Sequence, residues 1–219
     1  LTVSYTGNVT PGGPPQVREL ADLVISKLSV GPMDNNVYLL RCKETGDQIL
    51  IDAAAEPDRI LDLIGQGGLS TVVTTHRHRD HWGALADVVT ETGAMSVAHA
   101  ADAGELPVVH ATVADGDRIE VGDCHLEVIH LVGHTPGSIA LLYRDPTGFP
   151  HLFTGDSLFP GGVGNTRGNP ADFASLINDV ERKIFDRLPD ETWFYPGHGR
   201  DSTLGAERPS LPEWRARGW

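Results

Sequence analysis

The stretch "TTHRHRDHWG", Thr74 to Gly83, decides how this sequence is interpreted. It places three histidines and one aspartate within six positions, at His76, His78, Asp80 and His81. Desolvating several ionisable groups together is costly, so a folded chain gathers them only around a compensating partner. Neutral imidazole and carboxylate are ligands that Zn²⁺ and Fe²⁺ favour. The stretch therefore predicts a metal site.

The spacing inside this stretch predicts which ligands share a metal. Side chains alternate along an extended segment, so His76 and His78 are expected to project to one side. Asp80 is expected to continue that row, and His81 to turn onto another face as a helix begins. One short segment can then supply two ligands to one metal and two to a second.

Further candidate ligands follow later strands of the chain. His134 lies in "VGHTPGS", Asp156 in "FTGDSLF" and His198 in "YPGHG". Each is flanked by glycine, which lets the backbone turn sharply and approach a site closely. A dinuclear site needs these additional ligands. Asp52 similarly ends the apolar run "ILID".

The apolar pattern predicts a fold that repeats in two halves. Expected strands of the first half are "LVISKLSV", "NVYLLR", "QILIDA", "STVVTT" and "MSVAHA", and those of the second are "DRIEV", "CHLEVIHLV", "SIALLYR", "HLFTGD" and "TWFYPG". Expected helices are "EPDRILDLI", "WGALADVVTETG" and "NPADFASLINDVERKIFDRL", with Gly93 ending the second and Asn169 capping the third. Two such halves predict an α/β (α+β) fold with two sheets face to face and helices outside.

Composition narrows the class of partner. The chain has 219 residues and a formal net charge of −13, which argues against nucleic acid because its binders present basic faces. No apolar run reaches membrane-spanning length, so no membrane partner is expected. Cys42 and Cys124 have no metal-binding spacing and are interpreted as reduced core residues of a cytoplasmic protein. The sequence begins with Leu1 and shows no export signal.

The ordered set "THRHRDH", "GHTPGS", "TGDSLF" and "PGHG" resembles the metallo-β-lactamase superfamily, and within it the glyoxalase II-like thioester hydrolases. The resemblance covers Leu23 to about Arg208, most of the chain. It implies a four-layer αββα sandwich with metals at one edge. It also implies a domain over residues 23–208, between an N-terminal arm at 1–22 and a C-terminal tail at 209–219.

The resemblance also implies a role for each ligand. It assigns to the first metal the three histidines His76, His78 and His134. It assigns to the second metal Asp80, His81 and His198. Asp156 would bridge the metals, and Asp52 would steady the histidine-bearing loop from behind. The expected cofactor is two zinc ions per chain, with iron or manganese as alternatives. Asp80 and Asp156 are the expected catalytic carboxylates.

Single positions separate branches of the superfamily. Lactamases carry a cysteine or serine where Asp156 stands, and flavodiiron proteins carry a glutamate where His78 stands. Quorum-signal lactonases resemble the chain at the ligands but have a tyrosine where Phe159 stands. Nuclease branches use basic surfaces or added domains that are not visible here. The predicted function is hydrolysis of a small thioester at a dinuclear site.

The substrate is less well specified than the metal site. Full glyoxalase II enzymes hold glutathione with a C-terminal helical domain, which is expected to be absent here. Where related short proteins have "GRTD", this chain has "GNTR", so Asn165 and Arg167 are the candidate substrate contacts. The alternatives are a mononuclear iron persulfide dioxygenase using His76, His134 and Asp156, a lactonase, and a non-catalytic metal-binding module. The acyl group, thiol carrier, metal and oligomeric state stay open.

Overall fold

A computed structural model describes residues 4–219. The first sheet has seven strands in the order β1 to β7: Gln16–Glu19, Leu23–Val30, Asn35–Cys42, Gln48–Ile51, Thr71–Val73, Met95–His99 and Ala111–Val113. Its first four strands pair antiparallel and its last four pair parallel. The longest strands, β2 and β3, are buried along nearly their whole length, because apolar clusters cover both faces of the sheet here.

The second sheet has six strands in the order β15-β14-β11-β10-β9-β8. Their bounds are β8 Arg118–Val121, β9 Cys124–His130, β10 Ile139–Arg144, β11 Pro150–Gly155, β14 Trp193–Pro196 and β15 Ser202–Thr203. A small ribbon is formed by β12 Leu158–Phe159 and β13 Gly162–Val163. Strands β11 and β14 pair parallel, so both end at the same edge of the sheet.

Within residues 4–219, six α-helices flank the sheets: α1 Pro57–Ile64, α2 Leu85–Thr92, α3 Ala100–Ala103, α4 Pro170–Val180, α5 Leu204–Glu207 and α6 Leu211–Arg217. Pro57 begins α1, Gly93 ends α2 in the left-handed region at φ 71°, and Asn169 caps α4 with its side chain, as predicted. The third predicted helix does not continue regularly to residue 188, because a π-helical turn follows at Glu181–Phe185.

Three apolar clusters lie between four layers, which are helices, sheet, sheet and helices. This arrangement confirms the predicted sandwich. The central cluster joins the facing sides of both sheets, for example Leu40 with Leu141. A second packs Leu85 of α2 against the outer face of the first sheet. The third packs Leu176 of α4 and Trp214 of α6 against the outer face of the second sheet.

Parts of the predicted arm and tail form regular secondary structure that packs on the domain. Within the predicted arm, Gln16–Glu19 forms strand β1 at the edge of the first sheet, and Gly7 to Pro15 is irregular. Residues 1–3 of that arm lie outside the described residues. The predicted tail forms α6, whose Trp214 is buried. Over residues 4–219, no helix combines the length and apolar character needed to cross a bilayer. Both cysteines are free and buried.

Candidate metal centre

The chemistry-bearing loops leave strand ends along one edge of the two sheets. The loop after β5 carries His76 to His81, the β9–β10 loop carries His134, and Asp156 and His198 follow β11 and β14. The apolar strands fix the direction in which each loop leaves its sheet. Residues far apart in sequence therefore meet at this edge.

The seven predicted ligand side chains fall into two clusters, in each of which the ligand atoms lie within 4.8 Å of one another. They are His76, His78, His134 and Asp156 in the first cluster, and Asp80, His81 and His198 in the second. The predicted row of His76, His78 and Asp80 is wrong, because a 3₁₀ turn over Arg79–His81 redirects Asp80 toward the second cluster. The short segment still supplies ligand atoms to both clusters.

Asp156 lies between the clusters. Its Oδ2 is 3.6 Å from Nε2 of His134 and 3.4 Å from Nε2 of His198. Its Oδ1 is 3.3 Å from Nε2 of His81. One carboxylate thus reaches both groups of ligands, which is the geometry required of a bridging residue.

The second cluster is the tighter of the two. Asp80 Oδ2 lies 3.3 Å from Nε2 of His81 and 3.2 Å from Nε2 of His198. Asn35 donates from Nδ2 to the same Asp80 oxygen at 3.0 Å, which fixes the carboxylate. The two imidazole Nε2 atoms are 3.1 Å apart.

The residues present fit metal cations. Among the described residues, Nε2 of His76, Nε2 of His134 and Oδ1 of Asp156 are buried without any hydrogen-bond partner. Buried polar atoms left unpaired are costly, and here they converge. Cations bound at the two clusters would satisfy all three, since Oδ1 of Asp156 faces His81 of the second cluster. Imidazole nitrogen with carboxylate oxygen is a donor set suited to zinc, iron or manganese.

Hydrogen bonds behind the ligands orient the imidazole rings. Asp52, held at φ 60°, lies 2.8 Å from Nδ1 of His81 and accepts from the backbone and hydroxyl of Thr75 at 2.7 and 2.8 Å. His134 donates from Nδ1 to the carbonyl of Asn165, and His198 to that of Met33, each at 2.8 Å. A donating Nδ1 leaves the Nε2 lone pair free for the cluster.

Electrostatics also favours the ligand forms of these groups. Burial lowers the pKa of His76 well below its ordinary value and lowers that of His134, so both rings stay neutral. Burial opposes ionisation of Asp156, but the charge of the nearby His81 lowers its pKa well below the usual range. A carboxylate beside the neutral imidazoles of the first cluster attracts positive charge, which a cation supplies.

Asp102 joins the two loops of the first cluster and was missed in the sequence. Its buried carboxylate accepts from the backbone of Arg77 at 3.0 Å, from Thr135 Oγ1 at 2.6 Å and from the backbone of Gly137 at 2.9 Å. A Cβ on Gly137 would meet Asp102 at 2.7 Å, which is why the loop has glycine here. The stretch "AADAG" carries no motif, so only the tertiary contacts identify this residue.

The two predicted substrate contacts differ in position. Arg167 lines a cavity of about 410 Å³ beside the first cluster, and its Nη2 lies 3.2 Å from Nε2 of His78. Asn165 does not line this cavity. Its Oδ1 accepts from the backbone of Arg167 at 2.7 Å, which stabilises the left-handed backbone of Arg167 at φ 54°. Asn165 therefore shapes the loop that presents Arg167.

Comparison with known proteins identifies the family. The model of the metallo-beta-lactamase superfamily matches residues 30–198. A hydroxyacylglutathione hydrolase from Polaromonas sp. strain JS666 is 36% identical over 179 residues, which are 80% of this chain and 66% of that protein. The chain thus spans about two thirds of the length of this curated relative.

Two solved structures are similar in both fold and sequence. TTHA1623 in a di-iron-bound form is 32% identical with a TM-score of 0.72, covering 85% of this chain and 98% of that one. ETHE1 from Myxococcus xanthus is 30% identical with a TM-score of 0.76, covering 88% and 84%. The chain belongs to the metallo-beta-lactamase superfamily and is similar to its hydroxyacylglutathione hydrolases.

Proposed function

We propose that this protein hydrolyses a small thioester at a dinuclear metal site. The observation that carries the proposal is the convergence of six ligand side chains on a seventh, Asp156, beside a cavity lined by Arg167. A relative of 32% identity is named as di-iron-bound, which supports two metal positions. Zinc is the metal proposed here, with iron or manganese as alternatives.

A pair of bound cations would supply two things to the reaction. It would make a water acidic enough to attack at neutral pH, and it would supply positive charge for the developing oxyanion. The side chain of Asp80 is 29% exposed, so its carboxylate faces both His198 and solvent. The hydrogen bond with His81 lowers the pKa of Asp80, which keeps the carboxylate ionised. Because the metals would acidify the water, we assign its proton to this carboxylate despite the low basicity.

The thioester fits the remaining residues of the site. A thiolate leaves without a strong general acid, and we assign no such acid here. Arg167 can pair with a carboxylate of the thiol carrier, since guanidinium binds carboxylates in a planar fork. Phe159 lies 6.3 Å from the His198 ring, between ring centroids, and lacks the hydroxyl of the lactonases. That difference makes the lactonase alternative weaker.

Metal content and substrate preference together test the proposal. Purification in metal-defined medium should give two transition-metal ions per chain and turnover of anionic thioesters above that of lactones. One iron per chain, with oxygen consumption on a persulfide, would instead support the mononuclear dioxygenase. Two metals without turnover of any of these substrates would support the non-catalytic module.

The role of Arg167 is tested separately. Arg167→Ala should lower kcat/KM for anionic thioesters by roughly tenfold or more, the scale of one charge-assisted contact, and leave neutral thioesters nearly unchanged. Arg182→Ala is the matched control, since that side chain is 73% exposed on α4's π-helical extension. Equal losses of kcat/KM on anionic and neutral substrates would show that Arg167 does not recognise the substrate's charge.

A further inference from the structure

A fully buried ion pair lies behind the second ligand cluster. Lys27 of β2 and Asp201, three residues after His198, have their Nζ and Oδ1 atoms 2.7 Å apart, and both side chains are 0% exposed. Taking two charges out of water costs more than their attraction returns unless every remaining donor is satisfied. Such a pair is therefore weak evidence for stability alone, and its contacts indicate another role.

Lys27 uses all three of its ammonium donors. Besides Asp201, Nζ donates to the carbonyls of Gly7 and Gly199, each at 2.7 Å. Gly199 directly follows the predicted ligand His198. A single buried ammonium thus connects the first sheet, the N-terminal arm and the His198 loop.

The arm closes the other side of the same network. Tyr5 donates its hydroxyl to Asp201 Oδ2 at 2.7 Å, and Trp193 Nε1 donates to that oxygen at 2.9 Å. The backbone of Asp201 donates to the carbonyl of Gly7 at 3.2 Å. Every oxygen of the Asp201 carboxylate is therefore engaged, and two arm residues take part.

His198 is less enclosed by neighbouring groups than His76 and His81 are. Its side chain is 22% exposed, whereas those of His76 and His81 are 1% and 0% exposed. Close packing and Asp52 hold the latter two. For His198 the backbone on its C-terminal side is held through Gly199, by Lys27 and by Asn36 Nδ2 at 2.9 Å.

We propose that the Lys27–Asp201 pair, closed by Tyr5 and Gly7 of the arm, is a positioning device for His198, which couples docking of the arm to occupancy of the second metal position. This rests on the dinuclear site of the proposed function. Coupling of binding free energies is reciprocal, so filling the second position stabilises the docked arm to the same extent.

Two glycines of the arm provide a matched test. Gly7 and Gly12 have nearly the same left-handed backbone, at φ 76° and 73°. A Cβ on Gly7 would meet the Asp201 side chain at 2.6 Å, whereas a Cβ on Gly12 would meet nothing within 4 Å. Gly7→Ala and Gly12→Ala thus carry the same backbone penalty, and only the first disturbs the network.

The readout is zinc binding, measured by chelator competition and elemental analysis. Gly7→Ala should lower the zinc affinity of the second position by roughly tenfold or more, the scale seen when groups supporting a ligand are lost. The zinc affinity of the first position should be unchanged. Gly12→Ala should bind both as the wild type does, and His198→Ala marks loss of the second position. Wild-type binding by Gly7→Ala, or equal losses in the two glycine variants, would overturn the proposal.

A measurement on the wild-type protein complements the variants. Hydrogen exchange at the amides of Gly7 and Asp201 should slow when two zinc equivalents are added, and this slowing should be lost in His198→Ala. Equal slowing in the two proteins would overturn the coupling. Absence of thioester turnover would overturn the proposed function alone, because neither readout here depends on catalysis.

Discussion

At the scale of single residues, Asp156 shows why side-chain type matters. Its Oδ2 lies 3.6 Å from Nε2 of His134 and 3.4 Å from Nε2 of His198, and its Oδ1 lies 3.3 Å from Nε2 of His81, so the carboxylate faces both ligand sets. A cysteine or serine offers one ligand atom, whereas the carboxylate offers two. The carboxylate is therefore the chemical basis for separating this chain from the lactamase branch.

Because His151 is buried, we expect it to make the free energy of unfolding sensitive to acid. Burial and the nearby Arg18 lower its pKa to about 4, and its Nδ1 lies 2.8 Å from the Tyr195 hydroxyl, which donates to the neutral ring. Between pH 4 and about 6.5, the ordinary value, the unfolded chain binds a proton that the folded chain does not. The free energy of unfolding therefore decreases as the pH is lowered through this window, by about 2–3 kcal/mol from this group.

His151→Gln tests that term. Its amide oxygen keeps an acceptor for Tyr195 and does not titrate. Urea unfolding of both proteins at pH 7 and at pH 4 should show the wild type losing about 2–3 kcal/mol more than the variant. Comparing the two proteins cancels the acid release of metals, which they share. Equal losses would show that His151 is protonated in the folded protein.

At the scale of elements, the catalytic loops are joined to one another rather than only to their strands. Asp52 links the end of β4 to the loop after β5, through Thr75. Asp102, at the end of α3's first turn, links that loop to the β9–β10 loop. The loops thus hold their ligands through backbone hydrogen bonds made across the sheet edge.

Asp102→Ala is expected to weaken the first metal position. Without the carboxylate, the amides of Arg77 and Gly137 lose their buried acceptor, and the loops carrying His76 and His134 separate. Metal affinity should fall by roughly 10–100-fold, as for other groups that support ligands. Metal titration measures this, with Asp145→Ala as control, since Asp145 accepts a backbone hydrogen bond in an exposed turn. Unchanged affinity would limit Asp102 to folding.

The terminal helix α6 provides a second test at this scale. Trp214 is 1% exposed within the cluster over the second sheet, whereas Trp219 is 69% exposed. Trp214→Ala should cost about 3–5 kcal/mol of unfolding free energy, the usual cost of removing a buried aromatic side chain. Trp219→Ala should stay within about 0.5 kcal/mol of wild type. Similar small effects of both changes in denaturant unfolding would mean that α6 is not part of the cooperative fold.

At the scale of the whole molecule, the fold and the metal centre are separable. The three apolar clusters lie between and outside the sheets, and none includes a predicted ligand. Hydrophobic burial therefore accounts for the fold, and the ligands occupy loops at its edge. The metals should add stability without being required for folding.

Metal removal tests this separation. After chelation the far-ultraviolet circular dichroism should persist, while the Tm falls by about 5–10 °C, corresponding to metal at roughly a hundred times its Kd. Adding back Zn²⁺ should restore the Tm. Mg²⁺, which prefers oxygen ligands, is the control and should not restore it. Loss of secondary structure on chelation would show that the metals are part of the folding unit.

The sequence by itself determined the layered fold and the ligand residue types. Apolar periodicity along a strand and the chemistry of imidazole and carboxylate are properties of short segments, so "LVISKLSV" and "THRHRDH" could be interpreted alone. Only the tertiary structure decided the engagement of Asn165 with its own loop and the contacts of Asp102. It alone also paired Lys27 with Asp201, across 174 positions of sequence. These contacts join segments whose approach depends on how two sheets pack, and no local pattern encodes that approach.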